Sequence, residues 1–202
     1  MTSKPQLWVF AGPNGAGKST LAAKYIAGRI PIVNPDVIAR DIAPGKFDSA
    51  VMLRAGRLAI EERRGFLAAG ATFAMETTLT GQGELKFMQA AREQNYKVNL
   101  VFIGLARAED SYSRVLGRVQ AGGHPVPDAD IARRFARSMA NLPAAMRTAH
   151  RSYVIDNSGE GYRLMLVRMA RETRYIRQRL PAWTRAAVPA ALRQTPEMGM
   201  EL

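Results

Sequence analysis

Residues 11–20 read AGPNGAGKST, and within them Gly12, Gly17, Lys18 and Ser19 satisfy the spacing G-x-x-x-x-G-K-[ST]. A run of this kind folds round an anion. Glycines permit the tight turn, successive N–H groups point inward, and a helix starting near Gly17 aims its positive dipole end at the same point. Gly12, Pro13, Asn14, Gly15, Ala16, Gly17, Lys18, Ser19 and Thr20 are therefore the expected contacts to nucleotide phosphates. In that arrangement Lys18 reaches the β- and γ-phosphates and the Ser19 hydroxyl ligates a magnesium ion, so ATP and Mg2+ are the expected cofactors.

Phosphoryl transfer to a hydroxyl also needs a carboxylate to accept the hydroxyl proton and groups that hold the acceptor in line. Two acids stand where strand-like runs end: Asp36 in NPDVIA and Glu76 in METTLTG. Asp36 is the expected base, and its place after Asn34-Pro35 equally suits an acid in the first turn of a helix. Glu76, Thr77 and Thr78 are expected to bind acceptor hydroxyls or the water shell of the magnesium ion. Equally, Glu76 could be a strand-end acid satisfied by backbone donors.

A third group lies in RVLGRVQAGGHPVPDADIARRFARS, residues 114–138. Gly122 and Gly123 would end one helix, Pro127 and Asp128 would begin the next, and arginines project from both: Arg114 and Arg118 before the corner, Arg133, Arg134 and Arg137 after it. A segment built this way can close over bound nucleotide and bring guanidinium groups to the charge on a transferring phosphoryl. Arg118 and Arg134 are the expected catalytic arginines of this lid.

The elements that must position these groups follow from the hydropathy pattern. Apolar runs at 6–12, 30–34, 71–76, 98–105 and 152–156 alternate with helical spacing at 18–27, 48–69, 82–94, 108–121 and 128–149. Alternation of this sort implies an α/β fold with a mostly parallel central sheet, whose ligands bind beyond the carboxyl ends of the strands. A run at 162–169 alternates like an edge strand. The expected organisation is one three-layer kinase-like domain over 1–169, with a lid at about 108–149, and a basic extension over 170–202 that is helical and then disordered.

The 202 residues, 47% of them hydrophobic, suffice for one core. The N-terminus lacks a secretory pattern and no apolar run approaches the roughly 20 residues of a membrane span, so the chain is expected in the cytoplasm and away from membranes. Without cysteine there are no disulfides or thiolate metal sites, and two histidines, His124 and His150, do not make a zinc site. A net charge of +12, mostly arginine, implies anionic partners without naming them.

GPNGAGKST, NPDVIA, ETTLTG and RVQAGGHPVPDADIARRFARS, in this order, resemble the zeta-toxin family of P-loop kinases over about residues 6–158. The resemblance implies transfer of the ATP γ-phosphate to a hydroxyl of a small acceptor such as UDP-N-acetylglucosamine, in a toxin paired with a protein antitoxin. By position Lys18 and Ser19 match the phosphate and magnesium residues, Asp36 the base, Glu76 and Thr78 the substrate-binding residues, and Arg118 and Arg134 the lid arginines. One departure concerns the acceptor: where the sugar-nucleotide kinases carry an arginine two residues beyond the threonine, this chain has Thr80.

Two other readings compete. GPNGAGKST is also common in ABC-type ATPases, but neither an LSGGQ-like signature nor a strand ending in an Asp-Glu pair is present. A polynucleotide 5′-hydroxyl kinase or nucleic-acid-binding NTPase would suit the basic charge. Against nucleic acid as partner, Tyr153, Tyr162, Tyr175 and Trp183 are scattered and form no stacking platform.

Overall fold

A computed structural model describes residues 4–45, 48–123 and 125–194. Strand β1 (Gln6–Ala11) alternates its side chains between two faces: Leu7, Val9 and Ala11 join one buried cluster, Trp8 and Phe10 the other. That period of two makes β1 the middle of a sheet covered on both sides. The remaining strands are β2 (Ile32–Val33), β3 (Phe73–Thr77), β4 (Lys97–Gly104), β5 (Arg151–Asp156), β6 (Arg163–Met169) and β7 (Glu172–Ile176). They lie in the order β2-β3-β1-β4-β5-β6-β7. The first five are parallel, and β6 and β7 extend the sheet antiparallel. This is the mostly parallel P-loop kinase-like architecture expected from the alternating pattern.

Helices follow the strands. Helix α1 (Lys18–Ile26) buries Leu21 and Ala22 in the cluster of Phe10 and Ile103. On the opposite face, α3 (Ser49–Ala68), α4 (Gln82–Glu93) and α6 (Asp128–Thr148) contribute Ala59, Leu67, Phe87, Met88, Leu142 and Met146 to the larger cluster. Helix α5 (Ala108–Gln120) ends at the Gly122–Gly123 corner, where Gly123 N donates to Arg118 O at 2.8 Å and Gly122 N to Val119 O at 2.9 Å. Gly122 takes the positive φ that this closure demands. A short helix that the pattern did not indicate, α2 (Pro35–Ile42), starts with Asn34 as its cap and Pro35 in its first turn.

The segment after residue 169 differs from expectation. Residues 172–176 form a strand rather than a helix, so β7, not β6, is the sheet edge. Beyond it, α7 (Ala182–Ala187) and a 3-10 turn (Ala190–Leu192) bring Trp183, Val188 and Leu192 into the main cluster. Alternating charge in RETRYI masks the strand, because its outward positions are charged while Thr173 is buried. The disorder expected for the chain's end falls on residues outside those described.

Trp183 fixes that segment. Its ring packs over Gly104, where an added Cβ would meet ring carbon at 2.3 Å, and its Nε1 donates to Asp156 Oδ1 at 2.8 Å. Burial alone would raise the Asp156 carboxyl, but hydrogen bonds from Ser158, Trp183 and Arg163 outweigh it and hold the group below its ordinary value. Trp183→Ala is expected to cost about 3–5 kcal/mol, as for other large aromatics deleted from a core. Urea unfolding followed by circular dichroism reads the loss.

Candidate active site

The loop between β1 and α1 is possible only with glycine at two close approaches. Gly12 has φ +139°, and a Cβ there would lie 2.0 Å from Ile103 O on the neighbouring strand. Gly17 has φ +91°, and its Cβ would meet Tyr162 Oη at 2.5 Å and Asn157 Nδ2 at 2.9 Å. Five carbonyls of the loop are met by side chains. Lys18 Nζ donates to Gly12 O and Pro13 O, each at 2.9 Å. Ser111 Oγ donates to Asn14 O at 2.5 Å, Asn157 Nδ2 to Ala16 O at 2.9 Å, and Tyr162 Oη to Gly17 O at 2.8 Å. Arg114 reaches the same support by donating to Asn157 O at 2.6 Å.

Two acids flank this loop at different heights. Glu76 pairs in register with Phe10 on the adjacent strand, so its carboxylate lies beside the start of α1 and accepts from Ser19 Oγ at 2.6 Å. Burial raises its carboxyl, against the hydrogen bond from Ser19 and the charge of Lys18. Asp36 stands in the first turn of α2, its backbone N–H donating to Asn34 Oδ1 at 2.9 Å, and its side chain is exposed towards the cavity.

A cavity of about 520 Å³ joins these groups. Lys18, Ser19, Asp36, Glu76, Thr77, Thr78, Arg118 and Arg134 all line it, as do Asn14, Gly15, Gly17 and Thr20 of the loop. Gly12, Pro13 and Ala16 support the loop from behind and are not part of the lining. Of the other lid arginines Arg114 lines the cavity, whereas Arg133 and Arg137 do not. Arg134 is also tied to Asp130 of its own helix at 3.3 Å.

The loop after β3 is shaped by a strained residue. Leu79 is fully buried with φ +56°, a conformation costly for a branched side chain. It is held by Asn141 Nδ2 of α6, which donates to Leu79 O at 2.9 Å, and by its own N–H donating to Thr77 Oγ1 at 2.9 Å. Thr78 thereby faces the cavity, while Thr80 does not line it.

Sequence reasoning did not find Ser111, Asn157 and Tyr162, which lie 97, 141 and 145 residues from the carbonyls they support. No local pattern links such positions. It also passed over Arg63 and Glu84, both on the cavity wall. For Arg63 a signal existed: an arginine at helical spacing from Met52, Gly56 and Ala59, on a face otherwise small or apolar.

The donors present fit the group the loop implies. An amide-lined turn with a buried ammonium suits a polyphosphate, and the paired hydroxyl and carboxylate of Ser19 and Glu76 are hard oxygen ligands of the kind magnesium takes. Among the described residues no cluster of three acidic, His or Cys side chains offers another metal site, and no helix is long and apolar enough to cross a membrane.

Comparison with known proteins agrees with this geometry. A family model described as AAA domain matches residues 7–142, and the chain belongs to that family. It is 31% identical over 139 residues to an uncharacterized protein of Haemophilus influenzae, an overlap of 65% of this chain and 99% of the relative. Among solved structures it resembles a chain of the AvrRxo1-ORF1:-ORF2 complex with ATP at TM-score 0.69 and 22% identity, covering 84% of this chain and 60% of that one. It also resembles a structure from the PezAT chromosomal toxin-antitoxin system of Streptococcus pneumoniae at TM-score 0.61 and 20% identity, covering 78% and 70%. The chain thus spans only 60% of the AvrRxo1 relative's length, and at these identities the likeness is one of fold.

Lys18 gives the site a measurable titration. Burial lowers its ammonium to about 8; the Glu76 and Asp36 carboxylates pull it back up, and Arg118 and Arg134 push it further down. Below pH 8 folded and unfolded chains both hold this proton. From 8 to the ordinary 10.5 the unfolded chain keeps a proton that the folded chain has shed, so stability rises with pH across that window. Urea unfolding at several pH values should show this rise in the wild-type protein relative to Lys18→Met, with no difference in slope below pH 7.

Proposed function

We propose that this AAA-domain protein is an ATP-dependent kinase of the zeta-toxin type, transferring the γ-phosphate of ATP to a hydroxyl of a small acceptor. The observation that carries this reading is the shared cavity, into which a phosphate loop, an exposed carboxylate on another helix and two arginines from the α5–α6 pair all project. A carboxylate set apart from the phosphate loop beside open space is placed to take the proton of a hydroxyl bound there. Further support comes from the lining, where no described residue carries an aromatic ring on which a nucleic-acid base could stack. That favours a small acceptor over a polynucleotide.

In this reading ATP supplies the phosphoryl group and Mg2+ neutralises the charge that develops on it. Backbone N–H groups of the loop and of the first turn of α1 would hold the phosphates, and Lys18 would compensate their charge. Ser19 and Glu76 would hold the metal. Asp36 accepts the proton of the acceptor hydroxyl, while Thr77 and Thr78 orient the acceptor. Arg118 and Arg134 close from the lid onto the oxygens of the transferring group. The acceptor we favour within this class is a nucleotide sugar such as UDP-N-acetylglucosamine, and the biological setting a toxin held by a protein antitoxin, supported by the fold shared with the PezAT structure.

Incubation of the protein and Mg-ATP with a cell extract, followed by mass spectrometry for metabolites that gain one phosphoryl group, tests the reading; no such metabolite would refute it. Asp36→Asn should retain ATP binding and lower kcat by about 10²- to 10⁴-fold, the range for loss of a general base. Lost ATP affinity with an intact rate would instead make Asp36 a structural or metal group. Arg118→Ala and Arg134→Ala should each lower kcat by about 10²-fold or more with little change in ATP affinity, because their contact strengthens as charge redistributes in the transition state. Lysine should rescue either poorly, since it lacks the planar fork.

A further inference from the structure

Away from the phosphate loop the cavity continues as a groove along α3, walled by Met52, Gly56, Ala59, Ile60 and Arg63. These positions recur at each turn of one helix face and rise about 16 Å along it. No residue of α3 after Arg63 lines the cavity, so this guanidinium stands at the groove's end. At Gly56 an added Cβ would meet nothing within 4 Å, which leaves the groove wide at its middle.

Arg63 is poorly satisfied there. Its guanidinium carbon lies 4.9 Å from the ring centroid of Phe87, which shields one side, and its Nε is buried with no hydrogen-bond partner. The carboxylate with most influence on it is Glu84, but the two form no ion pair. Glu84 is already engaged: Thr77 Oγ1 donates to its Oε1 at 3.2 Å, and it sits in the first turn of α4, where the helix dipole favours negative charge. Burial consequently pulls the guanidinium below its ordinary value, and Glu84 offsets only part of this. The proposed kinase roles occupy the other cavity cations, Lys18, Arg118 and Arg134, and Arg114 is bound to Asn157 O. Arg63 alone has no such role.

We infer that Arg63 is the binding group for a phosphate or carboxylate on the acceptor, so that the acceptor is a hydroxyl compound carrying its own negative charge. The word acceptor rests on the kinase reading; the anion site does not. A planar guanidinium against an aromatic face suits forked binding of either anion, and the shielded position strengthens the attraction over that in water. Met52, Ala59 and Ile60 provide the apolar wall for a carbon skeleton between the hydroxyl near Asp36 and the charged end at Arg63.

The test uses the full chain with its phosphate loop saturated by a non-hydrolysable ATP analogue and Mg2+, titrated calorimetrically with inorganic phosphate and, separately, with acetate. At least one should bind the wild-type protein, and its affinity should fall tenfold or more in Arg63→Gln and less in Arg63→Lys, with affinity for the ATP analogue kept. In the wild-type protein itself the Nε–H resonance of Arg63 should shift on adding the same anion, a readout that depends on no variant. Absence of binding, an unshifted Nε–H, or equal binding by a folded Arg63→Gln overturns the inference. The arm that binds tells phosphate from carboxylate. For the acceptor recovered from extract, Arg63→Gln should raise its KM at least tenfold and leave the KM for ATP unchanged; a neutral or cationic acceptor overturns the inference too. Anion binding through Arg63 without phosphorylation of any hydroxyl compound would keep the anion site and refute the kinase reading instead.

Discussion

A tight glycine-rich loop cannot pair its carbonyls as a helix or strand does, and buried carbonyls need donors. Much of this molecule answers that requirement. Lys18 serves Gly12 and Pro13, Ser111 serves Asn14, Asn157 serves Ala16, and Tyr162 serves Gly17. The donors arrive from α1, from α5 and from the β5–β6 connection, so the loop's shape is fixed by the helix that follows it and by two distant parts of the chain at once. Because Arg114 of α5 also donates to Asn157 O, the helix that carries Arg118 is anchored to the support of the loop it faces.

The parallel sheet converts this local constraint into a site. Placing β3 beside β1 sets Glu76 next to the start of α1, and the short β2 delivers Asn34 as the cap that holds Asp36 at the head of α2. Burial in the shared cavity is what lowers the Lys18 ammonium and raises the Glu76 carboxyl, and the opposite charges that meet there offset part of each shift.

Legibility in the sequence followed the range of the physics. The phosphate loop was readable because an anion cradle dictates residue types within ten positions, and the strands and longer helices because one-sided burial imposes a period. Helix α2 lay outside the periodic runs because eight residues beginning with a proline carry too little periodicity, and only the setting of Asp36 after Asn34-Pro35, as an acid in a first helical turn, pointed to it. The strand β7 was hidden by its charged outward residues, and Trp183 passed for a scattered aromatic until its contacts with Gly104 and Asp156 were seen. The donors to the loop carbonyls and the pairing of Leu79 O with Asn141 are non-local choices, set only when the sheet has assembled. Arg63 belongs between these cases: its spacing was visible, but its shortage of partners is a property of the packed groove.

The hydrogen bonds of Asn157 and Tyr162 also order events in time. The loop of residues 12–17 leaves the ribosome well before these donors, so two of its carbonyls stay without them until residue 162 has followed. The strand end that presents those donors is in turn pinned by Trp183 through Asp156, later still. A nascent chain that has emerged only through the lid therefore holds the whole phosphate-binding motif in sequence without the means to keep its shape. The loop keeps its shape only once the sheet is complete, and an interrupted translation product is left with it unsupported.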